Sequence, residues 1–175
     1  MPRRGRHRHV LRLMPLLVVA VCAHQPLSVT SAFPEASVAS PWILEGEVWS
    51  GPFADAVSAL GPDADEWRPF APQHVWLAVY RHETNDDRKL TLRAFSFETR
   101  QAAAEAYQRF RPRDAHAFRA GDEGCWTEIG VLFVWGRLVF DIFGGQASLQ
   151  NELEAARLTV FIQKRMPPGL PDAPQ

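Results

Sequence analysis

Cysteine is scarce in this chain, which has two, Cys22 and Cys125, among its 175 residues. Cys22 lies in an N-terminal segment that has the features of an export signal. Once that segment is removed, Cys125 stands alone, so the mature chain cannot form an intramolecular disulfide, and a disulfide-rich scaffold is excluded. Such an unpaired thiol is expected to be buried as a small hydrophobe, or else to be a free or intermolecular site.

The patterns that bind metals and phosphates are also missing. The chain has no zinc-ligand spacing, no phosphate-binding glycine loop and no dinucleotide fingerprint. The polar loop at residues 82–87 carries oxygen ligands at alternate positions, but it lacks the glycine and the last glutamate of an EF-hand loop. We therefore predict no metal site and no cofactor.

No hydrophobic run is long enough to span a membrane. The apolar run 13–23, which Pro15 interrupts, has about half of the roughly 20 residues that a spanning helix needs. Arginines precede it and small residues follow it, as in an export signal. Cleavage is expected after Ala23 or after Ala32. We predict a signal over residues 1–32, a periplasmic or secreted protein, and a mature chain without a spanning segment.

Lipid anchoring at Cys22 is the alternative to plain secretion. Bacterial lipoproteins are cut directly before a lipid-modified cysteine. The preceding Val21 is bulkier than the glycine, alanine or serine that such a signal usually carries, and Pro15 also favours plain secretion.

Removing the signal makes the chain acidic. Nineteen basic residues less the five arginines of the signal leave 14, against 20 acidic residues, so the mature chain carries a net charge of about −6. This charge favours solubility and argues against nucleic acid or an anionic membrane surface as a partner.

Composition divides the rest of the chain into three parts. A small and polar linker over 33–41 precedes one domain over 42–166, which is long enough to bury a substantial core. The proline-rich stretch 167–175 is predicted to be a disordered tail.

Within the domain, the order strand, strand, helix occurs twice. The first set is HVWLAVYRH and KLTLRAFSF, joined by the polar loop ETNDDR, and a helix that Thr99 caps and Pro112 ends. The second set is WTEIGVLFV and LVFDIF, joined by a tight turn at Gly136-Arg137, and a helix that Ser148 caps. The stretch FADAVSAL predicts a further short helix.

This order predicts an α+β fold, a two-layer antiparallel sheet with two helices packed on one face. On the second helix, the apolar spacing indicates an inner stripe made of Leu149, Leu153, Ala156 and Val160.

The second face of that sheet is the predicted binding surface. A sheet with one wet face should alternate cleanly between apolar and polar residues, and the strands VWLAVY and LVFDIF do not. A partly open aromatic face would receive a ligand or partner through five residues, with the arginine and the aspartate paired: Trp76, Tyr80, Arg93, Phe95 and Asp141. The sequence favours a second interpretation over this open surface, in which residues 42–70 cover the face as a lid, and a homodimer interface is the third.

The stretch GDEGCW concentrates reactive side chains. A cysteine- or carboxylate-dependent hydrolase centred on residues 116–126 would use Cys125, Glu123 or His116. A papain-like protease requires a histidine after its cysteine, and this chain has no histidine after His116. The acidic neighbours Asp122 and Glu123 would also raise the pKa of the Cys125 thiol. We predict a turn here, and no catalytic residues.

Several short features follow one another over roughly residues 75–145. They are the stretch FSFE leading into an alanine-rich helix with Tyr107, then GDEG, then a hairpin turning at Gly136-Arg137. Together they resemble an uncharacterised family of exported bacterial domains of unknown function. The resemblance implies an exported single domain and supplies no activity or catalytic residues.

The combined observations predict an exported, non-enzymatic binding or accessory domain of the bacterial cell envelope. Its partner would be an unknown protein or a small apolar or aromatic ligand. The alternatives are the hydrolase centred on residues 116–126 and a structural, homo-oligomeric envelope protein.

Overall fold

The computed structural model describes residues 29–34 and 41–166. The apolar run of the predicted signal, Cys22 and the tail 167–175 lie outside the described residues. None of the helices in the described ranges is long and apolar enough to cross a membrane.

Four helices form in the described ranges. They are α1 (Phe53–Leu60), α2 (Asp63–Trp67), α3 (Arg100–Phe110) and α4 (Leu149–Arg165). The predicted caps are present, because Thr99 Oγ1 accepts the amide N–H of Ala102 and Ser148 Oγ accepts that of Asn151, each at 3.1 Å. Short 3-10 turns lie at Val29–Ala32 and Arg68–Phe70.

The strands form a single antiparallel sheet, so the predicted α+β class is confirmed. They are β1 (Trp42–Leu44), β2 (Trp49–Pro52), β3 (His74–His82), β4 (Asn85–Ser96), β5 (Glu123–Trp126), β6 (Gly130–Trp135) and β7 (Leu138–Gly144). Their order is β1-β3-β4-β7-β6-β5, and β2 pairs with the same edge of β3 as β1. Gly136 takes a positive φ of 58° in the predicted turn between β6 and β7.

The two long helices lie on opposite faces of this sheet, whereas the sequence predicted both on one face. Helix α4 packs Ala155, Leu158 and Ile162 against the face that carries Phe133 and Phe140, which we call the α4 face. The opposite face, the α3 face, is covered by α1, α2 and α3 and carries Val75, Phe95, Leu132 and Val139. The reason is that β6 is buried along its whole length apart from its last residue. A strand that is apolar on both sides needs cover on both sides.

Three of the four residues predicted to form the inner stripe of α4 face outward, and only Ala156 packs against the core. Leu149, Leu153 and Val160 are 71%, 57% and 45% exposed, and they are the large hydrophobic residues exposed within the described part of the chain. The buried side of α4 instead carries Ala155, Leu158 and Ile162 together with two polar residues. Thr159 Oγ1 donates to the Ala155 carbonyl at 2.9 Å, and such a local hydrogen bond lets a polar side chain lie against the sheet.

The hairpin between β3 and β4 is tighter than predicted. Only the first two residues of the predicted loop ETNDDR connect the strands, and the other four belong to β4, which begins at Asn85. A register irregularity lies between Arg81 and His82. A shift of one residue in the pairing of two strands moves every side chain of one strand to the other face. The side chains of β3 and β4 that the sequence predicted on one face, such as Trp76 and Arg93, therefore lie on opposite faces.

Candidate functional site

The five residues predicted to form one binding surface lie on two faces of the sheet. Trp76 pairs with Ala94 across β3 and β4 and lies on the α4 face, as does Tyr80. Arg93 pairs with Asp141 across β4 and β7 on the α3 face. Trp76 is 3% exposed and Tyr80 and Phe95 are 0% exposed. These five residues therefore do not form one open aromatic surface.

The predicted pairing of Arg93 with Asp141 is present, as part of a three-residue ion cluster. Arg93 Nη2 donates to Asp141 Oδ2 at 2.6 Å, and Arg93 Nη1 donates to Asp63 Oδ2 of α2 at the same distance. The guanidinium carbon lies 4.4 Å from the centre of the Phe143 ring. Burial by itself lowers the pKa of Arg93, but the two carboxylates outweigh it and raise the pKa above its ordinary value.

The Arg93 cluster lines a small cleft of about 200 Å³ between α2 and the sheet. Helices α1 and α2, which lie within the lid predicted over residues 42–70, cover the α3 face together with α3. Trp67 stacks on Phe95 with ring centres 3.8 Å apart, and on Phe110 at 4.0 Å. The cluster thus holds α2 to the sheet, and both oxygen partners of the guanidinium come from the chain itself.

Two side chains of the candidate hydrolase, Cys125 and Glu123, have structural contacts in the fold. Cys125 is fully buried, and this burial raises the pKa of its thiol more than the nearby Tyr107 and Arg111 lower it. A thiol of this kind is protonated at neutral pH and is a weak nucleophile. Glu123 accepts hydrogen bonds from Arg111 at 2.6 Å and from Gln108 at 3.0 Å.

The acidic turn GDEG has a structural explanation. Asp122 Oδ2 accepts the amide N–H of Gly136 at 2.6 Å, which ties this turn to the β6–β7 hairpin. Gly121 has a φ of +55°, and a Cβ at this position would lie 2.2 Å from the Val134 carbonyl oxygen. The glycine is therefore required for a close approach of two backbone segments, as predicted for a turn.

The polar segment 82–87, which spans the end of β3 and the start of β4, forms contacts within itself and with the adjacent Arg81. Arg81 forms an ion pair with Asp86, and Asn85 Oδ1 accepts the amide N–H of Asp87 at 3.1 Å. Within residues 29–34 and 41–166, no three histidine, cysteine, aspartate or glutamate side chains are grouped so that they could hold a metal ion.

A surface groove of about 590 Å³ lies at the N-terminal end of α4. Its walls are the loop 112–116 after α3, the connection 126–128 after β5, and the first turns of α4. Trp126 and His116 contribute rings, and Leu149 and Leu153 contribute apolar side chains. The backbone holds the two walls together, because the amide N–H of Trp126 donates to the His116 carbonyl at 2.9 Å.

The apolar side of the groove continues along α4. We call the stripe of Leu149, Leu153, Ala156 and Val160 the α4 ridge. Three of its members face outward, and the fourth, Ala156, is half-buried and packs against the core. The members are three or four residues apart, which is the spacing of a coiled-coil seam. Glu152 and Arg157 flank this seam. The rim of the groove has carboxylates and one arginine, namely Asp114, Glu128, Glu152 and Arg113.

Sequence reasoning identified the residues of the ridge but placed them on the wrong side of the helix. The signal that could have located the groove is the second apolar stripe of α4, Ala155, Leu158 and Ile162, which is also spaced by three and four residues. When a helix with two apolar stripes packs one of them on a sheet, the other stays exposed to solvent. Of the residues singled out for reactivity, only His116 lines the groove.

The fold and the groove define the class of protein. It is an α+β domain whose open, seven-stranded antiparallel sheet is covered on both faces and which carries a partly apolar surface groove. Among solved structures, its fold is similar to the extracellular domain of PknH from Mycobacterium tuberculosis, with a TM-score of 0.52 and 12% sequence identity. The similarity covers 81% of this chain and 97% of that one. No protein-family model matches the chain, and no curated protein matches it significantly.

Proposed function

We propose that this protein is an exported, non-enzymatic binding domain and that the α4 ridge with its groove is the partner site. The observation that carries the proposal is the grouping of exposed large hydrophobic side chains. Within the described ranges there are three, Leu149, Leu153 and Val160, and all of them lie on the ridge. Grouped apolar side chains on the surface of a soluble domain are typical of a docking site.

The chemistry of the site favours a protein partner with an apolar stripe. An amphipathic helix of the partner can place leucine-like side chains between those of the ridge, because the two spacings match. Trp126 at the groove wall supplies a large apolar surface with a polar edge. The net negative rim, with Asp114, Glu128 and Glu152 against Arg113, suits a segment that carries basic residues beside its apolar stripe.

Four further observations support export and a non-enzymatic role. The N-terminal sequence predicts an export signal. The domain of PknH that has a similar fold is an extracellular domain. Cys125 is buried with a raised pKa, and Glu123 is held by Arg111. The thiol is thus buried and protonated, and the carboxylate is held in an ion pair.

The double variant Leu149→Gln/Leu153→Gln tests the site. Glutamine has nearly the helix propensity of leucine and adds no charge, so the fold should keep its stability within about 0.5 kcal/mol. The tagged full-length protein is cross-linked in its own envelope fraction, and each captured protein is quantified by mass spectrometry. We expect at least one protein to be captured by the wild type and reduced tenfold or more with the double variant.

Leu158→Ala is the matched control on the same helix. Leu158 is buried against the sheet, so its truncation should lower the free energy of unfolding by about 2–3 kcal/mol and leave the ridge intact. Capture by this variant should equal that of the wild type below its melting temperature. If no captured protein distinguishes the double variant from the wild type, the ridge is not the partner site.

A homo-oligomeric envelope protein is the second candidate, and the flanks of the ridge favour it. Glu152 precedes Leu153 and Arg157 follows Ala156, which are the positions that form ion pairs between two parallel helices. In a parallel pair, Arg157→Glu would bring like charges together, and the swap Glu152→Arg/Arg157→Glu would restore the attraction. Sedimentation velocity should then show dimer, monomer and dimer for the wild type, the single variant and the swap; a monomeric wild type excludes this candidate.

A further inference from the structure

The folded core begins upstream of the domain boundary that the sequence predicted. Val29 and Ala32 are each 1% exposed and Phe33 is 3% exposed. All three belong to the core cluster of the α4 face, together with Tyr80 and Ile162. The 3-10 turn Val29–Ala32 also contacts α4 directly.

Hydrogen bonds fix this N-terminal segment to the fold. The amide N–H of Phe33 donates to the Thr30 carbonyl at 3.1 Å and closes the 3-10 turn. The Tyr80 hydroxyl, buried on β3, donates to the Pro34 carbonyl at 2.9 Å. That buried hydroxyl needs an acceptor, and the segment supplies it. Residues 29–34 are therefore part of the domain core, although the sequence assigned them to the signal and the linker.

Cleavage after Ala32 would dismantle this arrangement. It would remove Val29 and Ala32 from the core and turn the amide of Phe33 into a charged amine. That amine would lie on a buried residue without the Thr30 carbonyl that the amide now contacts. Cleavage after Ala23 leaves residues 24–28 ahead of Val29 and keeps every one of these contacts.

We infer that the export signal is removed by hydrolysis of the Ala23–His24 bond, and that residues 29–34 are the first core element of the mature protein. The inference rests on the export that the proposed function includes. An export signal peptidase breaks the carbon–nitrogen bond of this peptide. The oxygen of water bonds to the Ala23 carbonyl carbon, and the proton goes to the leaving amine, which becomes the N-terminus at His24.

The test is to export the full chain from a bacterial host and to determine the N-terminus by intact mass and terminal sequencing. His24 is expected. An exported protein beginning at Phe33, or at a lipid-modified Cys22, overturns the inference while export itself holds. A chain that stays in the cytoplasm at full mass contradicts the proposed export instead.

Two arginine substitutions compare the two cleavage motifs. Ala23→Arg places a large charge in the small-residue motif before His24 and should cause the precursor to accumulate. Thr30→Arg places the same charge in the small-residue motif before Phe33. Because the Thr30 side chain is exposed, this variant should leave processing and the melting temperature unchanged. Accumulation with Thr30→Arg and normal processing with Ala23→Arg would assign cleavage to the other bond.

A stability measurement tests the core role of the segment whether or not the chain is exported. Val29→Asp buries a charge in the α4 face and should lower the melting temperature by roughly 5 °C or more. Thr30→Asp makes the same charge change at the adjacent, exposed position and should have little effect. Equal melting temperatures for the two variants would show that the segment is not a core element.

Discussion

Replacing Arg93 by methionine should destabilise the domain by about 3 kcal/mol. The substitution keeps a long apolar side chain beside Phe143 but leaves the Asp141 carboxylate, whose side chain is 15% exposed, without a positive partner. Breaking a buried ion pair from one side costs about 3–5 kcal/mol. We expect the lower end of this range, because the cleft beside the cluster gives Asp141 some access to water.

Two comparison variants separate the charge from the packing. Asp63→Asn removes the second partner of Arg93, but Asp63 is 50% exposed, so its loss should cost about 1 kcal/mol or less. Arg93→Met/Asp141→Leu removes both buried charges together. Replacing a buried ion pair by apolar side chains is often neutral or stabilising, so this variant should lie within about 1 kcal/mol of the wild type.

Urea unfolding followed by tryptophan fluorescence measures all three variants, because Trp67 stacks on Phe95 beside the cluster. The free energy of unfolding is obtained by linear extrapolation, and an unchanged slope shows that the unfolded state is the same. The reasoning is refuted if Arg93→Met costs no more than Asp63→Asn. It is also refuted if the double variant is as unstable as Arg93→Met, since the packing of the arginine would then matter more than its charge.

Two further predictions concern titration. Burial lowers the pKa of His74 below 6.5, so the unfolded chain takes up the proton more readily and stability falls as the pH drops through 6.5; His74→Gln should remove this part of the pH dependence of the melting temperature. Burial raises the pKa of Cys125 above its ordinary value, so a thiol reagent at pH 8 should modify Cys125 of the native protein only as fast as the protein unfolds. Rapid labelling of Cys125 would contradict the buried, protonated thiol.

The type and order of the elements could be predicted because their signals are local. Thr99 and Ser148 cap helices where a hydroxyl precedes a periodic apolar stretch, and Gly136 allows the tight turn between two strands. The segment Phe53–Leu60 likewise follows its sequence pattern and ends at Gly61. Each of these features depends on residues only a few positions apart.

The placement of side chains on faces could not be predicted, because it depends on packing between distant segments. Periodicity shows that α4 has an apolar stripe but does not show which of two stripes is inward. The buried stripe contains Asn151, whose side-chain amide donates to the Gln146 carbonyl at 3.0 Å. The exposed stripe contains leucines and reads as the more hydrophobic one. The candidate site was missed for the same reason, since the ridge had been assigned to the core.

Stability measurements and binding measurements on α4 together identify what the ridge is for. Helix α4 packs against the sheet through Ala155, Leu158 and Ile162, whereas Leu149 and Leu153 are exposed, so we expect the domain to fold without these two leucines. A substitution at Leu158 should therefore change the free energy of unfolding and leave binding intact. A substitution at Leu153 should do the reverse. If both positions changed stability alone, the ridge would pack against another part of the same chain, and the partner would have to be sought on a different surface.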